Sequence, residues 1–332
     1  MNPMLTVLRA LLLPGVLVAG LSACSTAPER ASHSADSPVA NVRALPVYRG
    51  SDGATASWDR LVADARAADV IVVGENHGHP VGLPWAAALW EDVSAPASGG
   101  DSTAALALEF FERQDQSRMD DYLKGVTDEA AFLKRTDRKG GNYPAAHRAM
   151  VERAKALKRP VVASNAPWEI VRYLRGKDYD ALLVLTPEQT RLFRVPSSPP
   201  EGRYRADYDA VMKDVIGMSH GAPKGVAPAA TMTEAQKQAA LDASFRTQQL
   251  WDWTMAESVT RAVDAGSHPV LQVIGRFHSD FVGGMPQAVA KLRPGTRVVV
   301  ISVVDVCSAA LREEDRGRGD YVVYVGPSPE DQ

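Results

Sequence analysis

The chain has only two cysteines, Cys24 and Cys307, in 332 residues. That excludes a disulfide framework, and no Cys-x-x-Cys-His pattern is present to attach haem covalently. Charge of one sign is also missing. Lys and Arg total 37 against 40 Asp and Glu, for a net charge of -3. With no long basic run, nucleic acid is excluded as the main partner. No apolar stretch reaches the roughly 20 residues that a membrane-crossing helix requires. A glycine-rich phosphate loop is absent, and no repeat of solenoid period is visible. What remains is long enough for one large domain or two small ones, with an ordinary globular composition.

The N-terminus carries the first positive signal. Arg9 precedes an apolar stretch at residues 10–21, which is too short to span a bilayer and has the length of a secretory signal core. It ends in Leu21-Ser22-Ala23-Cys24, the pattern of a bacterial lipobox. Residues 1–23 therefore read as a cleaved signal peptide and Cys24 as the lipidated residue. Acyl chains hold a protein to a membrane because each buried methylene contributes about 0.8 kcal/mol. Ser25 after the cysteine resembles outer-membrane sorting in a Gram-negative host. Residues 24–54 begin rich in Ala, Ser and Pro and read as a flexible tether. The expected location is the bacterial cell envelope, lipid-anchored, at the outer membrane. Once Cys24 is lipidated, Cys307 is expected to be a small buried hydrophobe.

From residue 55 to 326, apolar β-branched runs alternate with helical stretches. The runs are Val70-Ile71-Val72-Val73, Ala105-Leu106-Ala107-Leu108, Pro160-Val161-Val162-Ala163, Val270-Leu271-Gln272-Val273-Ile274, residues 296–304 and residues 321–325. The first five lack polar alternation, as expected of strands buried on both faces. Between them Trp251, Met255, Val259 and Ala262 share one helical face, as do Met150, Ala154 and Leu157. The expected fold is α/β: three layers, with a mainly parallel central sheet flanked by helices. Residues 196–238, rich in Pro and Gly, read as a helical or irregular insertion outside the sheet, and residues 327–332 as a C-terminal tail.

Polar residues follow the strands. The first ends in Gly74-Glu75-Asn76-His77-Gly78-His79, the second in Glu109, the third in Ser164-Asn165 and the fourth in Gly275-Arg276-Phe277-His278. Ligands of open parallel sheets bind outside those carboxyl ends. Glu75, His77, Glu109, Asn165 and His278 are therefore expected in one crevice. Such a set suits a divalent metal such as Zn, Mn or Fe, or acid–base work in which a carboxylate orients a histidine. His79 has even standing as a member. Glu112 and Arg113 read as capping residues, and Asp305 as a neighbour of the same edge.

These motifs, in order, resemble the ChaN-like haem-binding uptake family within the Tiki and erythromycin-esterase superfamily. The resemblance rests on Gly74-Glu75-Asn76-His77, the segment from Ala107 to Arg113, Gln116, Tyr122-Leu123-Lys124-Gly125, Tyr143-Pro144, Ser164-Asn165-Ala166-Pro167, Asp252-Trp253-Thr254-Met255-Ala256, Gly275-Arg276-Phe277-His278 and Gly284-Met285-Pro286. It spans about residues 55–305. It implies a membrane-anchored protein that binds haem or an iron complex and serves iron acquisition, with a homodimer as a possible assembly. The wider superfamily implies an alternative, a metal-dependent hydrolase facing the periplasm, with Glu75 or Glu109 as base. Haem iron is held by His, Tyr, Met or Cys. Tyr143 and His147, four residues apart behind a Pro144 helix start, are candidate ligands, as is His220; Tyr204, Tyr208 and Met218 are further ones. Each tyrosine is expected to be half-buried, with its hydroxyl in water.

Overall fold

The computed structural model describes residues 42–96, 102–139, 142–217 and 232–328. Cys24, the signal peptide and His220 lie outside them. Eight strands form one sheet: β1 (Val47–Arg49), β2 (Thr55–Ala56), β3 (Val70–Glu75), β4 (Ala105–Glu112), β5 (Val161–Asn165), β6 (Val270–Gly275), β7 (Val298–Val304) and β8 (Tyr321–Tyr324). Their order is β2-β1-β8-β7-β3-β6-β4-β5. From β8 to β5 every pairing is parallel; only β1 runs antiparallel, to β8 and to β2.

The uninterrupted apolar runs become inner strands because alternate side chains serve two different cores. Ile71, Val73, Leu106, Leu108, Leu271, Val273, Ile301 and Val303 face one layer. There they meet helices α1 (Trp58–Ala67), α2 (Gly82–Ser94) and α5 (Ala145–Ala156), through Leu61, Trp85, Leu89, Trp90 and Met150. Val70, Val72, Ala105, Ala107, Val270, Ile274 and Val300 face the other. That side is covered by α9 (Glu234–Asp264) and α10 (Gly284–Leu292), through Trp253, Met255, Val259, Met285 and Val289. The three-layer α/β expectation holds. Helices α3 (Gln116–Leu123), α4 (Glu129–Arg135), α6 (Trp168–Leu174), α7 (Pro187–Thr190) and α8 (Tyr204–Gly217) complete the order.

Two boundaries and the burial of Cys307 differ from the sequence reading. Residues 42–54, expected in the tether, belong to the fold: Val42 and Val47 are buried in the first core and β1 pairs with β8. The reason is edge protection, since β8 would otherwise present unpaired backbone. Within 196–238, α8 is helical and outside the sheet, as expected, and it is packed. Tyr204, Tyr208 and Met212, at helical spacing, lie against Phe245 of α9 and against Phe277. The capping box of Thr233 and Gln236 starts α9 within the same segment. Cys307, expected to be buried, is exposed, because β7 ends at Val304 and the chain has already left the sheet.

Candidate functional site

The carboxyl ends of β3, β4 and β6 adjoin because β6 lies between β3 and β4 in the sheet. The end of β3 and the turn after it deliver Glu75 and His77, β4 delivers Glu109, and the turn after β6 delivers His278. Glu75, the last residue of β3, is 1% exposed. Its Oε1 stands 2.7 Å from Nδ1 of His77. Glu109 of β4 accepts the Gly275 backbone N–H at 2.6 Å through Oε2. Its Oε1 lies 3.8 Å from His77 Nε2 and 3.7 Å from His278 Nε2. Both distances exceed a hydrogen bond, so the two imidazoles flank one carboxylate oxygen without closing on it. On the far side, His278 Nδ1 is 2.7 Å from Asp252 Oδ1. The array is nearly symmetric: carboxylate, imidazole, shared carboxylate, imidazole, carboxylate.

Local irregularity makes this possible. The β4–β5 register shifts between Leu108 and Glu112, and bulged strands re-aim side chains beside sites. Gly275 is required by proximity rather than by a turn. A Cβ there would stand 3.0 Å from His77 Nε2, so any side chain would press on the imidazole.

Burial acts to lower the His77 pKa, but the charges of Glu75 and Glu109 and the Glu75 hydrogen bond outweigh it and push it up to about 9. His278 is raised in the same way: burial opposes protonation, and Asp252, its hydrogen bond and Glu109 overcome it. Burial raises Asp252, against the pull of His278, so the proton stays within that pair. His77 is therefore imidazolium at neutral pH.

Asp252 and Gln248, which were not expected in the site, and Tyr204, named only as a candidate haem ligand, surround His278. Tyr204 donates its hydroxyl to Asp252 Oδ2 at 2.7 Å and accepts from the Gln248 amide at 3.1 Å. The tyrosine, expected to wet its hydroxyl, is 4% exposed. Gly284, at φ 47°, leaves room for its ring: a Cβ there would meet the Tyr204 hydroxyl at 2.8 Å. One signal was present in the sequence. Gln248 and Asp252 are polar residues four apart on a helix whose neighbours Trp251, Met255 and Val259 are apolar.

The remaining candidates are placed elsewhere. Asn165 is turned away, its Oδ1 accepting the Ala166 N–H at 2.9 Å. His79 is structural: Nδ1 accepts the N–H groups of Val81 and Gly82 at the start of α2, and Nε2 donates to the Gly326 carbonyl at 2.9 Å. Glu112 caps no helix; its Oε2 accepts from the Gln114 amide at 2.7 Å, and burial pushes its pKa up to about 7. Arg113 is held by Glu257 at 2.8 Å and Ser258 at 2.9 Å. Asp305 is 3.2 Å from Arg276, whose Nε donates to Asn76 at 2.8 Å, so it braces the loop that carries His77.

Tyr143 and His147 do not face an open groove. Tyr143 packs edge-on against Phe111, and His147 is fully buried against Phe110. Burial, with the positive charges of His77 and Arg138, lowers the His147 pKa to about 3. Among the described residues no group of three or more His, Cys, Asp or Glu side chains is arranged to hold a metal ion. The divalent-metal alternative therefore lacks geometric support.

The family model for haem-binding uptake, Tiki superfamily, ChaN, matches residues 61–289. No curated protein matches the chain. Among solved structures, ChaN of Campylobacter jejuni, described for cofacial haem binding, is similar at a TM-score of 0.61 and 15% identity, over 84% of this chain and 96% of that one. A Bacillus cereus protein aligns at a TM-score of 0.40 and 12% identity, over 81% of this chain and 74% of its own. An erythromycin esterase in its open conformation aligns at a TM-score of 0.40 and 12% identity, over 81% and 79%. The likeness to ChaN is one of fold, whereas the family match spans more than half of the sequence and includes every strand-end motif from Glu75 to His278. The chain belongs to the haem-binding uptake family of the Tiki superfamily that contains ChaN.

Proposed function

We propose that this protein is a lipid-anchored envelope protein that binds haem for iron acquisition. The observation that carries the reading is the family match over residues 61–289, which encloses the whole strand-end array. Haem brings a flat apolar macrocycle, two carboxylates and an iron that accepts a nitrogen or oxygen ligand. The residues present fit such a group. Phe110 lies beside His77, with ring centroids 5.4 Å apart; the phenyl is half-buried and the imidazole exposed. The phenyl offers apolar contact, and the protonated His77 Nε2 offers a donor for a ligand carboxylate. Glu75 and Asp252 hold the two imidazoles in orientation.

The test is a haemin titration of the purified protein followed by absorbance, with metal content assayed on the same sample. A saturable Soret shift at defined stoichiometry is expected. A flat titration at micromolar haemin would overturn the reading. Anchoring is tested separately: labelled palmitate should enter the wild-type chain and not Cys24→Ser, and the product should fractionate with the outer membrane.

One observation favours a second reading, hydrolysis in the same crevice. The two Nε2 atoms flank Glu109 Oε1 at distances that leave room for a water, which Glu109 could deprotonate while an imidazolium donates to a leaving group. Esterase turnover abolished by Glu109→Gln, in a sample that ignores haemin, would favour it.

A further inference from the structure

Glu257 of α9 is ringed by three arginines. Its Oε2 accepts from Arg113 Nη1 at 2.8 Å and lies 3.1 Å from Arg261 Nη2, while its Oε1 lies 3.6 Å from Arg194 Nη1. Among the described residues none of the three is paired with a second carboxylate. Three positive charges against one negative leave two in excess at a single point. A network that served the fold alone would be balanced, because like guanidiniums repel. The repulsion is felt at Arg113: burial lowers its pKa to about 10, and Arg261 and Arg194 act in the same direction against Glu257.

The three arginines divide into one that is spent and two that are not. Arg113 is buried, and its fork is used on all sides. Besides Glu257 it donates to Ser258 at 2.9 Å, to the Thr254 carbonyl at 2.6 Å and to the Arg191 carbonyl at 3.3 Å. It fixes Glu257 from beneath. Arg194 and Arg261 have 44% and 58% of their side chains exposed. Arg194 lies beyond hydrogen-bonding reach of Glu257, and Arg261 meets it through one nitrogen. Most of the five donors on each fork are therefore left for a ligand. Glu257 itself, 13% exposed, lies behind them.

Both open forks are carried by ordered backbone. The Arg194 N–H donates to Thr254 Oγ1 at 3.0 Å, and Phe193 beside it is buried in a core cluster with Leu250. Arg261 stands in the last turn of α9. Donors held in place before binding cost little to order.

We propose that Arg194 and Arg261 form an anion site for a phosphate dianion, with Glu257 as the spacer between them and Arg113 as its support. Two charges in excess match a dianion, and planar forks match the oxygens of phosphate. The phosphate is either free in solution or the headgroup of a lipid. None of these residues belongs to the Glu75–His278 array, so the inference stands apart from the haem reading.

The test uses the full chain purified as Cys24→Ser, so that no acyl anchor intervenes. Inorganic phosphate should raise the melting temperature saturably, beyond the effect of chloride at equal ionic strength. In Arg194→Gln with Arg261→Gln, the phosphate concentration for half the effect should rise at least about tenfold. Either single variant serves should the pair fail to fold. Vesicles of phosphatidylcholine with and without phosphatidic acid separate the sources. Sedimentation with the phosphatidic acid vesicles alone, lost in the double variant, assigns the lipid headgroup; stabilisation by phosphate without sedimentation assigns free phosphate. A chain that phosphate stabilises no more than chloride does, and that ignores phosphatidic acid, overturns the site. So does a response that the double variant retains in full.

Discussion

On the open side of Phe110, His77 is gripped by Glu75 and looks toward Glu109; on the closed side, His147 touches no polar group of the protein. Two imidazoles that pack against the same phenyl ring are driven in opposite directions. Carboxylates overcome burial at His77 and keep its proton, whereas at His147 burial acts unopposed and removes it. Proximity to charge outweighs desolvation only where the partner is within hydrogen-bonding distance. His278, on α9's side of the crevice, repeats the His77 arrangement with Asp252 in the place of Glu75. The open side is therefore an electrostatic assembly, and the closed side a packed core with one misplaced polar ring.

The most severe way to break this contrast is to remove a carboxylate. Asp252→Ala would leave His278 buried without its partner and the Tyr204 hydroxyl without its acceptor. A loss of about 3–5 kcal/mol is expected in urea unfolding, the usual cost of breaking one member of a buried pair. A loss below about 1 kcal/mol would show that the array contributes little to the fold.

The pH dependence of stability sharpens the comparison, because the two histidines act with opposite sign. The folded pKa of His77 lies above its unfolded value of about 6.5. Its contribution is fully present below that value and is lost as pH rises toward about 9. His77→Gln should therefore flatten the alkaline limb, by less than the limiting slope of about 1.4 kcal/mol per pH unit because solvent reaches the ring. The folded pKa of His147 lies below 6.5. The unfolded chain takes up its proton first, and stability falls as pH drops from about 6.5 toward about 3. His147→Leu should flatten the acid limb and leave the alkaline one intact. Effects on the same limb for both variants would contradict the assignment.

The smallest effect is expected from His147→Leu at neutral pH. Replacing an unpaired buried polar ring by an apolar side chain is near neutral or mildly stabilising, within about 1 kcal/mol. A loss of several kcal/mol in thermal unfolding would mean that the ring is held by polar contacts after all.

Much of the fold was legible because parallel inner strands announce themselves as unbroken apolar runs. The runs at Val70, Ala105, Val161, Val270 and Val298 all became strands. The short edge strands β1 and β2 were not legible, since three and two residues carry no periodicity and are defined by their partner β8. In the site, Glu75, His77, Glu109 and His278 were foreseen from their position after strands, and the structure brings them together. Asn165 and His79 satisfied the same positional rule and yet serve the backbone. A strand end delivers a side chain to the crevice, but its last torsions are chosen by whichever neighbour offers a hydrogen bond.

The sequence alone determined the layer architecture, the order of the motifs and the family, because burial on two faces and ligand positions after strands leave a one-dimensional imprint. Only the tertiary structure decided which histidines are charged. His77, His147 and His278 are equivalent as residues. What divides them is the distance to Glu75, to Asp252 or to no carboxylate at all, and those distances are set by segments far apart in the chain that meet only when the sheet closes.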